Sequence, residues 1–154
     1  SDSDKIERVE NNKRKNNPVR ASVGKNFSGW DWFALQLNNG DNVMVAQVRT
    51  EEEEGGPNFY FGTWSNTDGD SMYLDNSTIK LAVTDWWTSK KTKKKYPSKW
   101  RLKVEGLDLD VHIIPTLSDQ ELVLTHLNGF NYWEGRSVIK GSHKGNAYVE
   151  LVGY

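Results

Sequence analysis

Two carboxylic acids stand directly beside tryptophans, and their type and position make them the first candidates for chemistry. Asp31 lies between Trp30 and Trp32, and Glu134 follows Trp133. A carboxyl group that aromatic neighbours remove from water can stay protonated near neutral pH and can then serve as an acid. Buried carboxyl groups also hold purely structural networks, so both interpretations remain open. Which interpretation applies depends on where the strands that carry the two acids place their side chains.

A long β-hairpin is predicted to carry Asp31. Residues 29–37 and 42–49 read as its two strands, and Asn38-Asn39-Gly40-Asp41 supplies residues that tolerate the positive φ of a tight turn. Side chains alternate along a strand, so one face holds Trp30, Trp32, Ala34 and Gln36, and the other holds Asp31, Phe33, Leu35 and Leu37. Both faces carry large apolar groups. One face is predicted to pack a core, and the tryptophan face could line a cavity, although Asp31 would then point away from both tryptophans.

The rest of the chain is predicted to form more short antiparallel strands. Residues 99–114 give the clearest hairpin, in which Arg101 and Lys103 would face Asp108 and Asp110 as cross-strand ion pairs. The strand over residues 132–140 places Tyr132 and Glu134 on one face and Trp133 on the other. No amphipathic helix or internal repeat is evident. Short strands with large residues on both faces favour a closed all-β, antiparallel barrel with a partly filled lumen.

Composition limits the domain organisation and the classes of partner. The 154 residues fit a mobile polar tail over residues 1–17 and one β-barrel domain over residues 18–154. The formal net charge of −1 gives no global attraction to nucleic acid or to an anionic membrane. The absence of cysteine excludes disulfides and thiolate chemistry. No transmembrane segment or signal peptide is predicted, and localisation stays open, because a secreted or periplasmic protein could have lost its signal.

Four other features suggest ligands but are better explained without them. Six lysines between Lys90 and Lys99 could bind phosphate, but a solvated hairpin tip explains them as well. The acidic stretches at residues 50–58 and 66–70 lack the spacing of a calcium loop. His112, His126 and His143 are too far apart to suggest a metal site. We therefore predict no metal, no cofactor and no nucleic-acid partner.

Seven short motifs occur in order along the chain and together carry a resemblance. They are GWDWFALQL (29–37), TDWWTS (84–89), YPSKWRLKV (96–104), LDLDV (107–111), SDQEL (118–122), YWEG (132–135) and AYVELVGY (147–154). With these motifs the chain resembles the lipocalin-like family that includes carotenoid 1,2-hydratase (hydroxyneurosporene synthase) and secreted AttH-type proteins. The resemblance implies a lipocalin-like (calycin) β-barrel, matching the C-terminal one of two barrels in tandem.

The resemblance also implies a chemistry, namely protonation of an isolated alkene followed by water capture or cyclisation. A dry aromatic pocket suits this task, because ring faces stabilise developing positive charge. On this basis the chain would be a hydratase (lyase) or cyclase-type barrel that binds a hydrophobic polyene or isoprenoid-like molecule. The implied catalytic residues are Glu134 and Asp31 as acids with Tyr132 as orienter, and the implied ligand-binding residues are Trp30, Trp32, Gln36 and Trp133.

One departure from the family pattern supports a second interpretation. The family typically has a Trp-Asp-His-x-Trp-like strand just before the GWDWF motif, whereas residues 19–27 of this chain are VRASVGKNF. The Asp and the His are both missing. The alternative is therefore a non-catalytic structural barrel that packs against a partner, either a second barrel domain or another copy of the chain.

Overall fold

The computed structural model describes residues 27–50, 58–124 and 130–154. The predicted polar tail (1–17), the rest of the segment before residue 27 and almost all of the acidic stretch at 50–58 lie outside the described residues. Within them, no helix is long and apolar enough to cross a membrane.

The described residues form antiparallel strands with one short 3-10 turn at Asn76–Thr78. The strands are β1 Phe27–Leu37, β2 Asn42–Thr50, β3 Phe59–Ser65, β4 Ser71–Leu74, β5 Ile79–Thr88, β6 Lys95–Val104, β7 Leu109–Pro115, β8 Glu121–Leu124, β9 Phe130–Gly141 and β10 Gly145–Val152. They build one sheet in the order β4-β3-β2-β1-β10-β9-β7-β6-β5, and β8 pairs with β9 off this path.

The sheet curls strongly around a single core. Its hydrogen-bonded path ends at β4 and β5, and the 3-10 turn joins these two strands along the chain. Leu74 of β4 and Ile79 of β5 are nevertheless buried in the same hydrophobic cluster as the central strands. The result is an all-β, strongly curled antiparallel half-barrel. This confirms the predicted lipocalin-like fold class.

The predicted turn of the first hairpin is confirmed in detail. Gly40 adopts φ 92°, a value that favours glycine. The backbone N–H of Asp41 donates to the Asn39 side-chain oxygen at 2.9 Å, and this bond closes the turn. The register that follows pairs Leu35 with Val43 and Phe33 with Val45. These four side chains all point into the core.

The centre of the core is filled by the chain's own aromatic rings. Phe33 packs edge-on against Trp100 at a centroid distance of 5.2 Å, and Trp100 packs edge-on against Trp133 at 6.3 Å. The Trp133 indole N–H donates to the backbone oxygen of Ser118 at 2.8 Å. Because buried indole N–H groups need an acceptor, this bond fixes Trp133 in the interior.

The hairpin between β6 and β7 differs from the prediction at one residue. Asp108 adopts φ 49° in the turn, and β7 begins only at Leu109. The predicted strand position of Asp108 is therefore wrong, because the turn extends from Glu105 to Asp108. Arg101 instead bonds both carboxylate oxygens of Asp110, at 3.0 and 2.9 Å.

Candidate functional site

Asp31 lies on the inward face of β1. Alternation along the strand buries Asp31 together with Phe33 and Leu35, whereas Trp30 and Trp32 point outward and are half-buried. Only 3% of the Asp31 surface is exposed. A carboxyl group so far from water needs partners that stabilise it.

Tyr154 and Arg49 supply those partners. The Tyr154 hydroxyl lies 2.8 Å from Oδ1 and 2.9 Å from Oδ2 of Asp31, so it can donate to either oxygen. Arg49 Nε lies 3.3 Å from Oδ2, and the Arg49 guanidinium carbon lies 3.7 Å from the centre of the Tyr154 ring. Arg49 also donates to the backbone oxygens of Val152 and Gly153. The cation thus holds the end of β10, the Tyr154 ring and the Asp31 carboxylate together.

Glycine makes this arrangement possible at two positions. Gly153 has φ 90°, which lets the chain turn after β10 so that Tyr154 reaches Asp31. Gly29 lies where Arg49 crosses β1, and a Cβ there would collide with the backbone oxygen of Val152 and with Arg49 Nη2. A side chain at position 29 would therefore disturb both the end of β10 and the position of Arg49.

We call Asp31, Arg49, Tyr60 and Tyr154 together the Asp31 site. Burial has the largest effect on the pKa values of its acidic groups. Burial raises the pKa of Asp31 to about 6, although the positive charge of Arg49 and the Tyr154 hydrogen bond act in the opposite direction. Burial and the Asp31 charge raise the pKa of Tyr154 as well. The pKa of Tyr60 is also raised, mainly by burial and in part by Asp31. Near pH 6 the carboxyl group therefore exchanges a proton while both phenols keep theirs.

An aromatic cluster and a second carboxylate adjoin the Asp31 site. Tyr96 packs against Tyr154 at a centroid distance of 5.7 Å and stacks on Trp87 at 6.2 Å. The Tyr96 hydroxyl donates to Glu121 at 2.7 Å. Glu121 also accepts hydrogen bonds from the hydroxyls of Ser89 and Thr92, both at 2.6 Å. Partial burial raises the pKa of Glu121, but these three donors outweigh it and lower the pKa overall. Glu121 thus anchors the β5–β6 turn to β8 as a carboxylate.

The other predicted acid, Glu134, lies on the outer surface of the sheet. The Tyr148 hydroxyl donates to it at 2.6 Å, and this bond is the main cause that raises the pKa of Tyr148 to about 12. Tyr132 lies beside Glu134. Removal from water is the main cause that raises the pKa of Tyr132, and the neighbouring Glu134 raises it further. The structure therefore brings Glu134 and Tyr132 together, but on the opposite side of the sheet from Asp31.

The four predicted ligand-binding residues are divided between the two sides of the sheet. Trp30, Trp32 and Gln36 lie on the outer face of β1, and Gln36 is exposed. Trp133 lies inside, 1% exposed, as part of the central core. In the part of the chain that the structure describes, no group of three His, Asp or Glu residues could hold a metal ion. His126 lies outside that part.

Sequence patterns pointed to Asp31 but not to its partners. Arg49 shares the inward face of β2 with Val43 and Val45. A cation among inward-facing apolar residues predicts a buried acid as its partner, so the sequence did contain a sign of this contact. Tyr154 gives no such signal, because it follows β10 and lies 123 residues from Asp31 in sequence.

An antiparallel sheet that curls around an aromatic core, with one carboxyl group buried inside it, defines a lipocalin-like barrel. The chain belongs to the AttH-like family, whose model matches residues 20–154. A crystal structure described as an AttH from Nitrosomonas europaea superimposes with a TM-score of 0.74 and 26% identity, and the match covers 84% of this chain and 39% of that one.

A second solved structure shares the fold at lower identity. Kievitone hydratase from Nectria haematococca superimposes with a TM-score of 0.67 and 20% identity, over 82% of this chain and 40% of that one. The chain thus spans about two fifths of the length of either neighbour. A comparison with curated protein sequences finds no significant match.

Proposed function

We propose that the chain is a hydratase-type binding barrel for a lipophilic, unsaturated molecule, in which Asp31 is the acid. The observation that carries the proposal is the Asp31 carboxyl group, which is only 3% exposed inside the sheet and whose pKa burial raises to about 6. Such a group is protonated in a useful fraction of molecules near neutral pH, as general acid catalysis requires. Membership of the AttH-like family and the fold shared with a hydratase support the reaction class.

The proposed reaction is addition of water to an alkene. The proton of Asp31 moves to one alkene carbon, and the π electron pair forms the new C–H bond. Water then attacks the resulting cation and releases a proton, which returns to the Asp31 carboxylate. Tyr154 would donate to whichever oxygen carries the charge, and the ring of Tyr96, which packs against Tyr154, would stabilise the cation.

The filled core limits where a ligand can lie. Phe33, Trp100 and Trp133 occupy the centre, so a polyene cannot pass through it without displacing them. Tyr154 bonds the Asp31 carboxyl group, Tyr60 lies close enough to be affected by its charge, and both tyrosines are half-buried. We therefore expect the reacting end of an isoprenoid-like ligand to approach past these two rings.

Ligand binding and acid catalysis can be tested separately. Retinol and kievitone serve as probes, and we expect either to quench tryptophan fluorescence at saturable concentrations. Asp31→Asn should retain binding and abolish conversion to the hydrated product, followed by mass spectrometry. Glu134→Gln is the matched control, because it removes the other acid from the outer face. Loss of conversion in the Glu134 variant alone would assign the acid to Glu134 instead.

A second candidate function is a non-catalytic structural barrel that packs against a partner barrel domain. The filled centre favours it, because this core needs no ligand to pack well. The same probes decide between the two functions. If neither ligand at saturation changes the tryptophan fluorescence or the melting temperature, the barrel has a structural role.

A further inference from the structure

Gln47 places a buried amide directly beside the acid of the Asp31 site. In the strand register Gln47 is paired with Asp31 on one side and with Tyr60 on the other. Paired residues of neighbouring strands project from the same face of a sheet, with their Cβ atoms roughly 5 Å apart. Gln47 alternates with Val43 and Val45, which point into the core, so it shares their inward face. The amide therefore lies inside the curled sheet, between a carboxyl group and a phenol.

The Gln47 side chain is buried without a protein partner. Among the residues that the structure describes, no hydrogen bond uses it, and Asp31 is bonded by Tyr154 and Arg49 instead. Only 9% of Gln47 is exposed, so the side chain is almost enclosed but still touches space that water reaches. Buried amide groups in folded proteins nearly always bond either protein or water. Water is the partner that fits this position.

A hydration reaction needs a water molecule held close to its acid. Once Asp31 has given its proton to the alkene, the cation either captures water or loses a proton to become an alkene again. The Gln47 amide oxygen accepts hydrogen bonds, and the Asp31 carboxylate accepts a proton. Because the two side chains are cross-strand neighbours, one water molecule can direct an O–H bond to each of them.

We propose that Gln47 binds the water molecule that adds to the alkene. The water oxygen forms the C–O bond with the cationic carbon, and the proton that it releases passes to the Asp31 carboxylate. The second O–H bond points to the Gln47 amide oxygen throughout and becomes the hydroxyl group of the product. This role rests on the proposed hydratase function. It makes Asp31 responsible for protonation and Gln47 for the capture of water rather than loss of a proton.

Gln120 is a glutamine with the opposite surroundings. Its amide nitrogen donates to the backbone oxygens of Leu117 and Arg136 at 2.9 and 3.2 Å, and its amide oxygen accepts from the Arg136 N–H at 2.9 Å. Both polar atoms of Gln120 thus bond the protein itself. Gln120 holds the loop before β8 against β9, and it offers a matched control for Gln47.

Incubation with citronellol in D2O separates protonation from water capture. Citronellol is an isoprenoid alcohol with one alkene, and mass spectrometry distinguishes its deuterated hydration product from deuterated, unhydrated alkene. Gln47→Met keeps the length of the side chain and should lower hydration roughly tenfold or more, while deuterium still enters the alkene. Gln47→Glu keeps an oxygen acceptor and should hydrate more, relative to deuterium uptake, than Gln47→Met. Gln120→Met should leave the ratio of hydration to deuterium uptake at the wild-type value.

Two further measurements do not depend on turnover. Because the Gln47 amide has no protein partner in the described residues, Gln47→Met should melt at or above the wild-type temperature, whereas Gln120→Met should melt lower. In NMR of wild type, the side-chain amide protons of Gln47 should show a nuclear Overhauser effect to a long-lived water molecule.

The results distinguish the role of Gln47 from the proposed function. Wild type that neither hydrates nor deuterates citronellol would contradict the proposed function, and the role of Gln47 with it. Wild type that hydrates citronellol, together with a Gln47→Met variant of unchanged ratio, would overturn the role of Gln47 alone. A lower melting temperature of Gln47→Met, or a Gln47 amide without the effect from water, would also overturn it.

Discussion

The raised pKa of Asp31 makes the stability of the fold depend on pH in a defined way. The pKa rises from an ordinary value of 3.8 to about 6. At 1.36 kcal/mol per pH unit this difference corresponds to about 3 kcal/mol. The carboxyl group is almost fully buried, so solvent screening does not reduce this figure much. It is a large share of the stability of a typical domain.

The direction of the effect follows from where the proton is bound. Below about pH 3.8 the group is protonated in the folded and in the unfolded chain, and its contribution to folding is complete. Between 3.8 and about 6 the folded chain keeps a proton that the unfolded chain releases. Above pH 6 both forms are ionised and the contribution is lost. Asp31 should therefore lower the free energy of unfolding as the pH rises from about 4 to 7.

Comparison with Asp31→Asn isolates this contribution. Other carboxyl groups act in the opposite direction, because hydrogen bonds lower the pKa of Asp75 and Asp110. Urea unfolding of both proteins, followed by tryptophan fluorescence at several pH values, cancels their effect. We expect wild type to lose about 2 kcal/mol relative to the variant between pH 4 and 7, which is most of the full difference, because Asp31 of the unfolded chain is already largely ionised at pH 4.

Two results would refute this reasoning. A difference that does not change with pH would mean that Asp31 titrates as it does in the unfolded chain. A difference of opposite sign would mean that Arg49 and Tyr154 outweigh burial. Carbon-13 NMR of the Asp31 carboxyl group in wild type reads the same pKa directly, so the prediction does not depend on the variant's folding.

Three further substitutions test the packing around this site. Tyr154→Phe removes the hydroxyl that bonds Asp31, so the pKa of Asp31 should rise further above 6 in the same NMR titration. Glu121→Gln replaces a charged acceptor of three hydroxyl groups and should cost about 2 kcal/mol of unfolding free energy in urea. Trp100→Ala should cost about 3–5 kcal/mol, measured in the same way, because it empties the centre of a well-packed core.

Each of these substitutions has a matched comparison. Tyr148→Phe removes the hydroxyl bonded to Glu134 on the outer face and should leave the Asp31 pKa unchanged. Glu105→Gln alters an exposed acid whose contact with Lys80 is a surface ion pair, and it should cost well under 1 kcal/mol. Met72→Ala trims a partly exposed side chain and should cost much less than Trp100→Ala. Equal effects within any pair would contradict the stated cause.

Local patterns in the sequence predicted the sheet well. The Asn39-Gly40 turn and the alternation of β1 and β2 were enough to place Asp31 on the same face as Phe33 and Leu35. These features depend only on neighbours within a hairpin, where turn chemistry and side-chain period set the register. The fold class followed because strand after strand showed the same short-range signals.

The direction of each face was harder to predict, and the reason is visible in β1. Trp30 and Trp32 look like core residues in sequence, but they lie on the outward face of the sheet, while the inward face carries a charge at Asp31. Hydrophobicity alone therefore cannot tell the two sides apart. The choice depends on which strands the sheet curls around, and the contact between Asp31 and Tyr154 joins residues 123 positions apart.

The two faces of β1 lie in different surroundings. Asp31 lies inside the curled sheet, and Trp32 lies on the outside one residue later, with the backbone of the sheet between them. A substitution on the outer face, such as Arg136→Glu, should therefore leave the pKa of Asp31 unchanged in the carbon-13 NMR titration. If the pKa shifted in this variant, β1 would have to transmit strain between its faces, which a rigid central strand held by ladders on both sides opposes.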